Sequence, residues 1–218
     1  MFAIGYGVLD AALRVIHDIR DDKAGLLARY KNFQRNGFPS GVNAGRGKAV
    51  MFGIDQILQL LLAFELVETG CGPTRIIRIV RTNWPELRPA FAQSWLVAAG
   101  QANNTRGRPQ LVMAPSALAE MNTPDRPDLP VRSPFAVSNY GEIGEWLSDP
   151  RTQATRVVVD PAAIIRGFRD FLAQADENIA QAFDDGFRDW ASEVSDFPSE
   201  VAEQALAHVN KNKVEAAY

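Results

Sequence analysis

The chain has 218 residues, 46% hydrophobic and 22% charged, with a formal net charge of −3. This is the make-up of an ordinary globular protein; it excludes a chain dominated by disorder and supplies apolar material for one large domain or two small ones. A single cysteine, Cys71, excludes an intrachain disulfide and any cysteine-cluster metal site, and reads as a small filler of the Gly70-Cys71-Gly72 turn.

Net charge conceals an asymmetry. Residues 1–100 carry 12 Lys and Arg against 8 Asp and Glu, and the rest carry 11 against 18, so the halves stand at +4 and −7. Between Arg20 and Val50 there are seven basic and two acidic residues, a locally positive field of the kind that draws polyanions. The opening MFAIGYGVLD has no basic lead, and no apolar run reaches the roughly 18 residues of a membrane span. The expectation is a cytoplasmic protein without membrane contact.

In chain order, Val8 to Asp18 reads as a first helix with Leu9, Leu13, Val15 and Ile16 at apolar positions, and His17 as a partly buried packing residue. Asp21-Asp22 are placed to cap the next helix, although they put negative charge at its start. On that helix Leu26, Tyr30 and Phe33 share one side, while Ala24, Ala28, Lys31, Asn32 and Arg35 share the other. Small residues that permit close approach, two cations and an amide suit a DNA major groove. The helix stops at Gly37, and Asn43-Ala44-Gly45-Arg46-Gly47-Lys48 follows as a glycine-flanked basic loop. As a short hairpin, that loop would lay Arg46 and Lys48 on phosphates or in a minor groove. The competing reading is a solvated helix face and an ordinary turn.

Ile54 to Thr69 is apolar nearly all round and must be central. Pro73 opens a further helix in which Arg75, Arg78 and Arg81 recur every three residues, to meet DNA backbone or, the favoured reading, to pair with Glu65 and Glu68. Asn83-Trp84-Pro85 predicts a break before a last helix through Glu86 to Ala99.

Taken together, KNFQRNGFP, GRGKAVMF and IDQILQLLLAFELVETGCGPTRIIRIV make residues 8–82 resemble the winged-helix DNA-binding domain of the MerR family. Lys31 stands for the family's usual arginine, Phe33 for tyrosine and Gln34 for glutamate, with Arg35, Gly37 and Phe38 completing the run and Leu66–Gly70 and Ile76–Val80 the later landmarks. The resemblance implies a bacterial or phage transcription regulator that pairs through a long helix after the domain. The expected break at Trp84-Pro85 departs from that pattern, and the metal-binding cysteines of some members are absent.

Residues 101–134 read as a proline-rich linker with a short strand at Gln110 to Ala114. Beyond them come a strand at Phe135–Ser138, a helix at Tyr140–Leu147, a strand at Arg156–Asp160, a helix at Pro161–Ala173, an acidic helix from Glu177 and another after Pro198. Phe168, Phe171, Phe183, Phe187 and Trp190 read as core or dimer surface. For an enzyme, Asp160 would be a carboxylate at a strand end and Asp184-Asp185 a cation site, but an N-cap and a solvated pair are the stronger readings. No catalytic residue, cofactor motif or metal-ligand spacing is identified.

The expected fold is therefore mainly α with a small α/β part: a winged helix-turn-helix domain at residues 1–100, the linker at 101–134, and an α/β plus helical dimerisation or effector domain at 135–218. The expected function is sequence-specific binding of double-stranded DNA as a homodimer, through Ala24, Ala28, Lys31, Asn32, Arg35, Asn43, Arg46 and Lys48, with a small molecule or protein as a possible effector of the C-terminal part. The alternatives are a protein-interaction adaptor on a winged-helix scaffold and an enzyme in the C-terminal part.

Overall fold

The computed structural model describes residues 1–42, 49–99, 108–113, 135–139, 142–148 and 156–194. Within them the chain is mainly α-helical with two small antiparallel sheets. The N-terminal part runs β1 (Ile4–Gly5), α1 (Tyr6–Ile16), α2 (Lys23–Arg35), β2 (Met51–Phe52), α3 (Ile54–Glu68) and α4 (Pro73–Ala98). Strand β2 pairs antiparallel with β1, Ile4 facing Phe52, so the segment closing the basic loop is fastened to the start of the chain.

Helix α2 has identifiable stops at both ends. The Asp22 carboxylate accepts from the Gly25 amide at 2.6 Å, capping the start as expected. At the other end Phe38 N–H donates to the Phe33 carbonyl and Gly37 N–H to that of Gln34, each at 3.0 Å, with Gly37 at φ +66°. This is a Schellman ending, whose left-handed residue favours glycine. Its usual apolar contact is present too: the rings of Phe33 and Phe38 lie 5.6 Å apart.

The aromatic side chains fill the space beneath α2. Tyr30 meets Tyr6 of α1 at 4.4 Å and Phe52 of β2 at 6.2 Å between centroids, and Phe33 meets Phe64 of α3 edge-on at 5.6 Å. Helix α3 is central, as its composition requires, with ten residues buried and packing against α1, β2, α4 and the C-terminal helices.

Helix α4 corrects the sequence reading. It starts at Pro73 as expected but runs unbroken through Pro85 and Pro89 to Ala98. The expected break at Trp84-Pro85 rests on a local rule, the lost hydrogen bond and the clash of an internal proline. Tertiary contacts outweigh it: Trp84 Nε1 donates to Asp55 Oδ1 at 3.1 Å, and Arg88 grips the same carboxylate at 2.9 and 3.1 Å. On the next turn Leu87, Phe91 and Trp95 are buried.

After α4 come β3 (Pro109–Met113), β4 (Phe135–Asn139), α5 (Ile143–Ser148), β5 (Val157–Val159), α6 (Pro161–Ala175) and α7 (Glu177–Val194). Each strand and helix falls within a few residues of its expected place. The sheet order is β4-β3-β5 and both pairings are antiparallel, with Leu111 between Val137 and Val159. All five residues of β3 are buried. The expected helix after Pro198 and most of the 101–134 linker lie outside the described residues.

Helices from both sides of that linker share one core. The cluster of buried apolar side chains runs from Ile4 to Ala191, with α6 against α1 and α4, and α7 against α4. Phe168, Phe183, Phe187 and Trp190 belong to this core, Trp95 of α4 stacking on Phe187 at 5.8 Å, while Phe171 is partly buried against it. Phe2, just before β1, packs edge-on against Phe183 at 5.4 Å, and a Cβ at Gly186 would come within 2.5 Å of Phe2 Cβ. Among the described residues no helix is long and apolar enough to cross a membrane.

Candidate nucleic-acid interface

The two faces of α2 separate as their spacing requires. Leu26, Tyr30 and Phe33 are buried, whereas Ala24, Ala28, Lys31, Asn32 and Arg35 are all exposed. At about 100° per residue the exposed five fall within an arc of roughly 100°. Lys23 and Arg29, also exposed, flank this arc and extend the cationic surface beyond the residues singled out from sequence. Asn32 is partly committed, since Asn36 Nδ2 donates to its backbone oxygen at 2.8 Å and its side-chain oxygen at 3.1 Å.

The end of α2 is held from α4. Arg81 Nη2 donates to the carbonyls of Asn36 and Gly37 at 3.3 and 3.1 Å. These carbonyls lie at the cap and just past the end of α2, where a cation also meets the negative end of the helix dipole. The arginine row on α4 therefore has divided roles: Arg75 is buried, Arg78 is exposed, and Arg81 binds backbone oxygens rather than Glu65 or Glu68.

Asn43, Arg46 and Lys48 lie outside the described residues, but the roots of their loop do not. On the entering side Ser40 N–H donates to Gln59 Oε1 at 3.2 Å, and Gln56 Nε2 donates to the Ser40 carbonyl at 3.3 Å. On the leaving side Gln56 Oε1 accepts from Gly53 N–H at 3.0 Å. Gln56 thus bridges both roots, and Gln59 is 4% exposed. Sequence reasoning missed these residues; two amides three positions apart on an otherwise apolar helix were the available signal. The short hairpin expected of Asn43–Lys48 lies outside the described residues; the strand that follows it, β2, pairs with the N-terminal β1.

The remaining candidates are occupied structurally. Asp160 caps α6 by accepting from Ala162 N–H at 3.0 Å and is ion-paired with Arg108. Burial, and then the nearby Arg166, push the Arg108 guanidinium below its ordinary pKa. Asp184 and Asp185 are not the solvated pair expected: Asp184 binds Arg169 at 2.7 Å, and Asp185 lies 3.3 Å from Arg188. Beneath the interface, burial and then the Asp10 charge push the Tyr6 hydroxyl up to about 12, and burial raises that of Tyr30. Among the described residues no three His, Cys, Asp or Glu side chains gather as a metal site.

No protein-family model, curated protein or solved structure gives a significant match to the chain.

Proposed function

We propose that this protein is a sequence-specific regulator of transcription that binds double-stranded DNA as a homodimer, with a MerR-like winged helix at its N-terminal end. The observation that carries the reading is the exposed arc of α2, where two short side chains stand beside Lys31, Asn32 and Arg35. The alanines let the helix backbone come close to base edges, Asn32 offers amide donors, and the cations reach phosphates. The chain order strand, two helices, basic loop, strand and helix supports the winged-helix assignment. In it Arg46 and Lys48 hold the backbone from the wing, and Asn43 lies at the wing's start. Two copies reading symmetric half-sites supply the affinity that one small module lacks.

The pairing of copies has to use a surface other than most of α4. That helix spends Ile76, Ile79, Val80, Leu87, Phe91 and Trp95 on the core of its own chain. The C-terminal part remains the place for a protein or small-molecule effector.

Gel-shift titration of Arg35→Ala and Arg46→Ala tests the assignment. Both variants should lose DNA affinity while keeping the circular dichroism and melting temperature of the parent, because Arg35 is exposed and Arg46 belongs to the polar, glycine-flanked sequence Asn43–Lys48. Parental affinity in both would overturn it. The adaptor reading predicts no salt-dependent DNA affinity in any variant.

A further inference from the structure

One side chain of the exposed α2 arc is restricted in what it offers a ligand. Asn36 Nδ2 donates to the Asn32 backbone oxygen at 2.8 Å and to Asn32 Oδ1 at 3.1 Å. A backbone oxygen only accepts, so the Asn36 atom against it is the amide nitrogen, and the Asn32 atom sharing that nitrogen is its oxygen. Asn36 is itself held: its N–H donates to the Phe33 carbonyl at 3.0 Å, and its carbonyl accepts from Arg81 Nη2 at 3.3 Å. Asn32 Nδ2 meets no acceptor among the described residues and keeps both hydrogens for a ligand.

The rest of the arc points the same way. Lys31 and Arg35 only donate, and Ala24 and Ala28 carry no polar side-chain atom, so Asn32 Oδ1 is the arc's single side-chain acceptor and Asn36 already engages it. Gln34, the other exposed amide of α2, stands roughly 60° outside the arc. In the major groove guanine shows two acceptors, N7 and O6, whereas adenine shows the N7 acceptor and the N6 donor. An asparagine that reads adenine uses both ends of its amide, accepting from N6 while donating to N7. An oxygen that already holds one hydrogen bond is the weaker partner for N6, and the free donor end decides. We propose that Asn32 donates to the O6–N7 edge of a guanine, with Asn36 as the positioning residue that withholds Oδ1 from adenine. This rests on the DNA reading and gives it a base: the half-site carries guanine where an unheld asparagine takes adenine. Adenine there sets its N6 hydrogens against those of Asn32 and leaves both donors without an acceptor.

Selection of duplexes from a random pool by the full-length parent, followed by titration of the enriched sequence, tests this. The base pair at which Asn32→Ala loses discrimination identifies the position that Asn32 touches. Guanine should stand there, and its exchange for adenine or for 7-deazaguanine should each weaken parental binding about tenfold. Asn36→Ala should bring adenine within about twofold of guanine at that position and leave the salt slope of binding unchanged, since a neutral amide replaces no counterion. Adenine at that position, a guanine preference that persists in Asn36→Ala, or an Asn32→Ala variant that discriminates everywhere as the parent does would each overturn the proposal, while a steep salt dependence keeps the DNA reading. A flat salt dependence overturns both together.

Discussion

Single side chains decide several local outcomes. Asp55 satisfies Trp84 Nε1 and two nitrogens of Arg88, so Asp55→Ala strands a partly buried indole donor and a partly buried cation at once. Chemical denaturation should show a loss of about 2 kcal/mol; a loss below about 0.5 kcal/mol, the scale of an ordinary surface change, would mean that α4 is not held there. The Tyr6 hydroxyl gives a pH signature. Because folding raises its pKa to about 12, by burial first and Asp10 second, its contribution is complete below the ordinary tyrosine value of 10.0 and fades as pH climbs toward 12. The fall in melting temperature between pH 10 and 12 should therefore be shallower in Tyr6→Phe than in the parent, and coincident curves would contradict this. Gly186 is a third case: Gly186→Ala drives a methyl into Phe2, and since Phe2 leads into β1, the melting temperature should fall. An unchanged melting temperature would show that the N-terminal residues yield freely.

Elements whose signal is local were legible in the sequence. Helix α2 declared itself through Leu26, Tyr30 and Phe33 at helical spacing, an aspartate before it and Gly37 after it; α6 did so through Asp160-Pro161. What escaped was settled by partners distant in the chain. Pro85 reads as a break because its neighbours in sequence say nothing of Asp55, thirty residues earlier. Gln56 and Gln59 were hidden for the same reason, since an amide on an apolar helix names no partner. The candidate interface was legible as a helix face, whereas its support by Arg81 was not. The persistence of α4 through Pro85 carries its own prediction. Pro85→Ala restores an amide donor for the Arg81 carbonyl and removes ring crowding, against a smaller entropic gain for the unfolded chain, so it should stabilise the protein by about 1–2 kcal/mol in urea titrations. Destabilisation would show that the proline ring fits the bend of α4 better than a regular turn does.

At the scale of the whole molecule, one core ties the α2 face to the C-terminal helices. Phe33 touches Phe64 of α3, α3 packs against α4, and α4 carries Trp95 onto Phe187 of α7. The face of α2 proposed to meet DNA is thus built on the same core as α6 and α7, in which six acidic residues stand against three basic ones. With that arrangement the protein should sediment as a dimer at micromolar concentration, and a strictly monomeric mass would remove the symmetric half-site part of the account. The most direct test of the central claim is the salt dependence of binding to a fluorescent duplex of random sequence. Log affinity should fall steeply and linearly with log salt, and the slope should shrink when Lys31, Arg35, Arg46 and Lys48 become alanine, by at most about 0.9 for each phosphate no longer neutralised. A flat dependence for the parent, or a slope unchanged in the quadruple variant, would contradict the proposal that these cations grip DNA.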